Sequence, residues 1–389
     1  MKKIIPILLF VLHLSVFAED GWVEQTSGIT SNINTVYFFD ANTGLAAGND
    51  GNLLQTTDGG SNWSSVSISS TSNFQQIYFR TSTDGYLLAQ DGNLYTSSNS
   101  GNSWTVQSLD IHGINGISFS GNNGIIVGDD GNVFTTPEGT NWTKQSSLGV
   151  FTVNDVVFLN DTLAVAVGGG GELHKSTDKG LTWTSVTSGT SNTLSAIEKL
   201  NDSTLIITGT IGTILEFKPL AGSILTVGVG LSLNWLKDVS CDELNVCRAV
   251  GTGKTVLFRN NGTWDAQNMD DNVNLNAVHF VTHTIGYVVG IAGVVYRHDA
   301  AGFPNGISSI ETSNIKTYPV PAQDQLTVEL AIVDQYKVKI TSSLGTIVHS
   351  SVEEGDSFKI DTQNLSPGLY FLHLTSSKGL KTSSKFLKK

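Results

Sequence analysis

Ser176-Thr177-Asp178-Lys179-Gly180-Leu181-Thr182-Trp183 reads as Ser-x-Asp-x-Gly-x-Thr-Trp, and the chain repeats the pattern. Thr56-x-Asp58-x-Gly60-x-Asn62-Trp63 is a second copy, and Ser97-x-Asn99-x-Gly101-x-Ser103-Trp104 a third. The chemistry is local. An Asp or Asn side chain accepts bonds from backbone N–H groups a few residues on, Gly supplies a turn position, and Trp anchors the strand that follows. Such an element builds a hairpin and carries no catalytic group. Asp58, Gly60, Trp63, Asn99, Gly101, Trp104, Asp178, Gly180 and Trp183 are therefore read as structural.

The tryptophans set a period. With Trp235 left out, they fall at 22, 63, 104, 142, 183 and 264, with gaps of 41, 41, 38, 41 and 81. The last gap is two periods, so one unit between Trp183 and Trp264 has lost its box. A second anchor keeps the phase. Ile33-x-x-Val36-x-Phe38 leads to Gly48, and six further apolar alternations follow it, starting at Phe74, Ile114, Val153, Leu194, Leu236 and Leu275. That makes seven units of four short strands. In the first unit the strands are expected near Asn34–Phe39, Gly44–Ala47, Leu53–Thr56 and Trp63–Val66. A four-stranded repeat of this length is the mark of a β-propeller. The seventh unit lacks its Trp, while Trp22 stands alone at the start. The N-terminal strand is expected to supply the outermost strand of the last blade and close the ring.

The box resembles the Asp-box, or BNR, motif. The repeat, with Gly44-Leu45-Ala46-Ala47-Gly48 and Thr57-Asp58-Gly59-Gly60, resembles the photosystem II assembly factor family of seven-bladed propellers. That resemblance covers roughly residues 21–300 and implies a role in assembling membrane pigment–protein complexes through a basic patch. Asp-boxes also occur in sialidases, which need an arginine cluster, a Tyr nucleophile and an acid. The propeller region holds only Arg80, Arg248, Arg259 and Arg297, and no Arg-Ile-Pro stretch.

Charge and cysteine bound the rest. Residues 19–306 hold 26 acids and 11 bases, a balance of −15, while 307–389 hold 8 and 9, a balance of +1. The acidic ring argues against nucleic acid as a partner. Met1-Lys2-Lys3, the apolar run Ile4–Phe17 and the small Ala18 before Glu19 read as a signal peptide over residues 1–18, cleaved between Ala18 and Glu19. No other stretch is long and apolar enough to span a membrane, so none is expected in the mature chain. Cys241 and Cys247 flank a short hairpin loop, and in an exported protein they are expected to pair; two buried thiols is the competing reading.

Residues 301–314 read as a linker and 315–389 as a small antiparallel β-sandwich. The whole is all-β: a seven-bladed β-propeller over residues 19–300, then the sandwich. Tyr318-Pro319-Val320-Pro321-Ala322, Leu344-Gly345-Thr346, Pro367-Gly368-Leu369-Tyr370 and the basic end Lys385–Lys389 follow in order. This resembles the type A C-terminal sorting domain of the type IX secretion system of Bacteroidetes. Val320 and Thr346 depart from that family's usual Asn and Arg. The resemblance makes Tyr318, Pro319, Pro321, Gly345, Gly368 and Tyr370 its motif residues. It implies the secretion machinery as a partner and the cell surface or the medium as destination.

Asp50-Gly51-Asn52, Asp91-Gly92-Asn93 and Asp129-Asp130-Gly131-Asn132 are expected to share one propeller face. Tight turns alone demand these residues; a cation or glycan site at Asp50, Asp91, Asp129 and Asp130 is the competing reading. Gly251-Thr252-Gly253-Lys254-Thr255 lacks the spacing of a phosphate loop. His112, His174 and His298 are read as surface or turn residues, and His279 with His283 as flanking a hairpin. No residue is singled out as catalytic or metal-binding, and no cofactor is expected. The sequence reads as an exported, non-catalytic propeller binding an unknown protein or glycan. A polysaccharide hydrolase with an unmarked carboxylate pair and an assembly or chaperone factor are the alternatives.

Overall fold

The computed structural model describes residues 21–109, 113–242, 244–260, 262–267, 273–299, 316–342, 347–376 and 381–389. The cleavage site at Ala18 and Glu19, the linker, His112 and Gly345 lie outside them. The chain divides into two units, Met1–Asp299 and Ala300–Lys389.

The first unit is built from seven antiparallel sheets of four strands, the propeller expected from the period. Blade one comprises Ile33–Phe38, Gly44–Gly48, Leu53–Thr56 and Ser64–Ser65, in spatial order. The innermost strands alternate buried and channel-facing residues. The second strands, such as Gly44–Gly48, Ala164–Gly168 and Cys247–Gly251, are buried throughout. Each is covered on both sides by neighbouring blades, so its residues are mostly small and apolar; in Cys247–Gly251 the exception, Arg248, is paired with Asp242. Leu45, Leu53, Phe74, Ile77 and Leu87 show the result: one cluster shared by blades one and two.

The two sequence anchors meet in space. Trp63 packs edge-on against Phe38 with ring centroids 5.9 Å apart, Trp104 against Phe79 at 6.2 Å and Trp142 against Phe119 at 5.8 Å. Blade five has lost both partners together. Lys199 stands at the aromatic position, and no Trp heads its outer strand Ser223–Thr226. The boxes form as their chemistry requires. Asp178 accepts the Thr182 N–H at 2.9 Å and its hydroxyl at 2.6 Å, and the Trp183 indole donates to the Gly180 carbonyl at 3.0 Å. Gly180 sits at φ +84°, and a Cβ there would fall 2.7 Å from Ile125 of the adjoining blade.

The last blade takes its outer strand from the N-terminus. Trp22–Thr26 pairs antiparallel with Val294–Asp299, Trp22 opposite His298. Trp22 is buried between Phe280 at 6.0 Å and His298 at 4.8 Å. His298 and His174 are both buried, not on the surface as their isolation in the sequence suggested. Both lie in third strands, where a ring fills space between sheets. In blade six Cys241 and Cys247 face each other in register and are joined by a disulfide.

The second unit is one five-stranded antiparallel sheet. Two long strands, Gln325–Ser342 and Ile347–Asp361, pair along most of their length across a register shift between Glu329 and Asp334. Lys316–Tyr318 adds to the first half of Gln325–Ser342, and Gly368–Ser376 to the second. Leu326, Val328, Val338, Ile340, Ile360, Leu372, Leu374 and Phe386 share its core.

Candidate functional site

The innermost strands enclose a central channel, a cavity of about 530 Å³ lined by residues from all seven blades. Its polar lining is largely engaged in joining blade to blade. Asn34 donates to the Phe74 carbonyl at 2.9 Å, Asn115 to Val153 at 3.2 Å, Asn154 to Leu194 at 2.7 Å and Asn276 to Ile33 at 2.9 Å. One residue further along, the direction reverses. Thr35 accepts the Ile77 N–H, Gln76 that of Ile117, Asp155 that of Ile197 and Asp238 that of Val278, all at 2.8–3.0 Å.

Three carboxyls face this channel deep inside the ring, each still partly accessible from it. Burial pushes Asp155 up to about 7 and Asp238 to about 6, against the pull of the backbone N–H groups they accept. Burial, with the charges of Asp155 and Asp238, pushes Glu198 up to about 8. Both oxygens of Asp155 are committed, one to Val156 N–H and the other to Ile197 N–H; Asp238 repeats this with Val239 and Val278. Burial drives His279 down to about 4, so its neutral ring donates to the Phe38 carbonyl at 3.1 Å. Among the described residues no group of three or more His, Cys, Asp or Glu is placed to hold a metal ion.

The turns between second and third strands share a face with the interblade connections: Gly51 N–H donates to the Ser72 carbonyl and Asn49 N–H to the Asn32 carbonyl. The Asp-box turns lie at the other end, beside the first-to-second strand turns, where Lys179 N–H meets the Thr162 carbonyl. Asp50, Asp91 and Asp130 occupy the same tip position in blades one to three, and all three are exposed. Asp50 accepts the Ser31 hydroxyl at 2.6 Å, while Asp91 is engaged by the N–H and side-chain amide of Asn93. Asp129, one residue before the tip, is half-buried and accepts the Asn115 amide at 3.1 Å. Asp50 and Asp130 have φ of 61° and 54°, the left-handed region that Asp tolerates.

The four propeller arginines are dispersed. Arg80 pairs with Asp84, Arg248 with Asp242 and Arg259 with Glu216, each within its own blade or the next. Arg297 donates to the Gly59 carbonyl. Thr252–Lys254 is the second-to-third strand turn of blade six. In the second unit Tyr318 ends its strand and its hydroxyl bonds Glu329. Pro319 and Pro321 lead to Ala322, whose N–H donates to the Leu387 carbonyl at 2.6 Å. Gly368 opens its strand opposite Lys388, and Tyr370 stacks on Phe386 at 5.7 Å. Channel residues Thr35, Gln76, Asp155 and Asp238 were not singled out by the sequence; aligning the repeats at the positions between the apolar anchors would have exposed them.

Residues 316–389 match the family described as secretion system C-terminal sorting domain, and residues 57–148 the family described as photosynthesis system II assembly factor YCF48. No curated protein matches the chain. Among solved structures, YCF48 bound to D1 peptide is 19% identical with a TM-score of 0.60, over 72% of this chain and 96% of that one. YCF48 from Cyanidioschyzon merolae is 18% identical with a TM-score of 0.60, over 74% and 100%. A catalytically inactive virginiamycin B lyase from Staphylococcus aureus with quinupristin is 9% identical with a TM-score of 0.60, over 72% and 98%. At these identities the likeness shows the fold, and one fold serving both a lyase and a peptide-bound protein leaves function to the site. Among the described residues no helix is long and apolar enough to cross a membrane. The chain thus joins a seven-bladed propeller similar to those of photosystem II assembly factors to a type IX secretion sorting domain, which directs it to the cell surface or the extracellular space.

Proposed function

We propose that the exported propeller is a non-catalytic binding protein that holds a protein ligand on the face of its second-to-third strand turns. One contrast among the carboxylates carries this reading. In the channel, Asp155 and Asp238 have both oxygens bound to backbone N–H groups, whereas Asp50, Asp91 and Asp130 stand exposed on the turns. A glycoside hydrolase needs two carboxyl groups free to flank the bond. Glu198 alone among the three channel acids is not bound to the next blade's backbone. The peptide held by a YCF48 propeller supports a polypeptide ligand, although here the ring is acidic where that family is expected to be basic.

A photo-crosslinking residue placed at Asp91, and separately at Ser61 in the first Asp-box, tests the reading on intact cells exporting the protein. Adducts at position 91 and not at 61 are expected. Adducts at neither position, or release of sugars from polysaccharides by the purified chain, would overturn it.

A further inference from the structure

The turn tips divide the face into two arcs. Blades one to three present Asp50, Asp91 and Asp130; blades four to seven present Gly170, Ile211, Gly253 and Ala292 at the same position. Exposed apolar side chains gather on the second arc. Val150 and Phe151, in the connection between blades three and four, are 83% and 48% exposed, Ile211 is 59% exposed, and Val229 and Leu233, between blades five and six, are each 80% exposed. They form two groups. The Gly212 N–H donates to the Asn234 carbonyl at 2.7 Å, tying the Ile211 turn to the connection carrying Leu233. Phe151 lies against the tip of blade four, 3.5 Å from where a Cβ on Gly170 would sit.

Ile211 is the telling residue. Its φ is 55°, a region where a β-branched side chain is an outlier and where the other tips use Asp, Gly or Ala. Neither backbone conformation nor burial favours Ile there, and a disfavoured residue at an exposed site motivates a functional reading. An exposed apolar patch of this kind marks an interaction surface. The acidic arc adjoins the Val150–Phe151 group, since the Ser147 hydroxyl, three residues before Val150, donates to the Asp130 carbonyl at 2.8 Å.

Resting on the binding-face reading above, we propose that the apolar arc docks an extended polypeptide whose aliphatic side chains cover Ile211, Val229 and Leu233 and whose adjoining Lys or Arg side chains meet Asp130 and Asp91. Charge complementarity fixes the sign of the partner, because residues 19–306 carry 26 acids against 11 bases. Aliphatic side chains offer no flat ring for a sugar. The arc has two exposed aromatics, and both are engaged: Trp235 has the Lys237 ammonium 5.4 Å from its ring centre, and the Phe151 ring lies against the Gly170 tip.

The test uses the purified exported chain and three labelled peptides: alternating Leu and Thr ending in two Lys, its twin ending in two Glu, and oligolysine of equal length. The Lys-ended peptide is expected to bind about tenfold tighter than either control, with an affinity that falls as salt rises. Val229→Ser with Leu233→Ser is expected to weaken it about tenfold. Ile211→Asn should weaken it while leaving the melting temperature unchanged or raised, because Asn tolerates that φ. Equal binding of the Lys and Glu twins, or unchanged affinity in these variants, overturns the proposal. Adducts at position 91 on cells with no peptide selectivity would defeat this inference and leave the binding-face reading standing, whereas a glycan recovered in those adducts would defeat both. Absence of adducts would defeat the reading itself.

Discussion

Asp155 of blade four accepts the backbone N–H of Ile197 in blade five at 2.9 Å, across the seam between two sheets that share no strand. Asp238 does the same for Val278 at 2.8 Å. Asp155→Ala would leave that amide without an acceptor in the channel wall, at a cost of about 1–3 kcal/mol. Urea unfolding of the variant measures it; an unchanged midpoint would mean that water replaces the carboxylate without loss.

The same carboxyls make stability depend on pH. Burial raises Asp155 to about 7 and Glu198 to about 8 in the folded chain. A raised acid contributes stability that is complete below its unfolded pKa and is lost as pH rises through the folded one. His279 works the other way: lowered to about 4, it contributes above its ordinary 6.5 and loses this as pH falls toward 4. The effects oppose each other in the acid range, but above 6.5 His279 drops out and the carboxyls remain. The melting temperature should therefore fall from about pH 6.5 to about pH 8.5, and Glu198→Gln should flatten the upper part of that fall. A temperature rising over this window would contradict the assignment.

Removing residues 21–27 strips the last blade of its outer strand and of Trp22, which is 3% exposed. Loss of a buried Trp alone costs about 3–5 kcal/mol. A large drop in melting temperature is expected for the deletion, and a smaller but clear one for Trp22→Ala. Calorimetry of the two variants beside the full chain gives the comparison.

The Cys241–Cys247 bridge closes a loop with a sequence separation of 6. Loop entropy assigns such a closure about 2 kcal/mol. Reduction should lower the unfolding midpoint accordingly, and the unreduced exported chain should show no reactive thiol to a labelling reagent.

The propeller was legible because its two anchors are one contact seen twice. Phe38 and Trp63 touch, so both recur with most blades; where Lys199 replaces the aromatic the Trp is gone as well, although blade six keeps Trp264 with Cys241 at the aromatic position. The channel was not legible, because its partners lie about forty residues apart in successive blades and differ in type. Thr35, Gln76 and Asp155 all accept a backbone N–H, yet nothing in their spacing marks them as equivalent to a reader following hydrophobicity. The apolar arc was hidden for another reason. Residues 227–235 lie in the stretch between Trp183 and Trp264 that the sequence marks only by a unit without its box, and exposure of Val229 and Leu233 is a property of the fold. Asp50, Asp91 and Asp130 were visible as turn residues, but their contrast with Ile211 emerges only when the tips are superposed around the ring.

Everything proposed for the face requires the propeller to arrive outside the cell, so the most direct test is the C-terminal domain. Ala322 bonded to Leu387 and Tyr370 stacked on Phe386 tie the start of this domain to its last strand. In a type IX-competent host, surface labelling should find the full chain at the cell surface or in the medium. A chain ending at residue 306 should be folded but confined to the periplasm, and residues 307–389 fused to an exported reporter should carry that reporter out. Equal surface levels of the full and truncated chains would contradict the account.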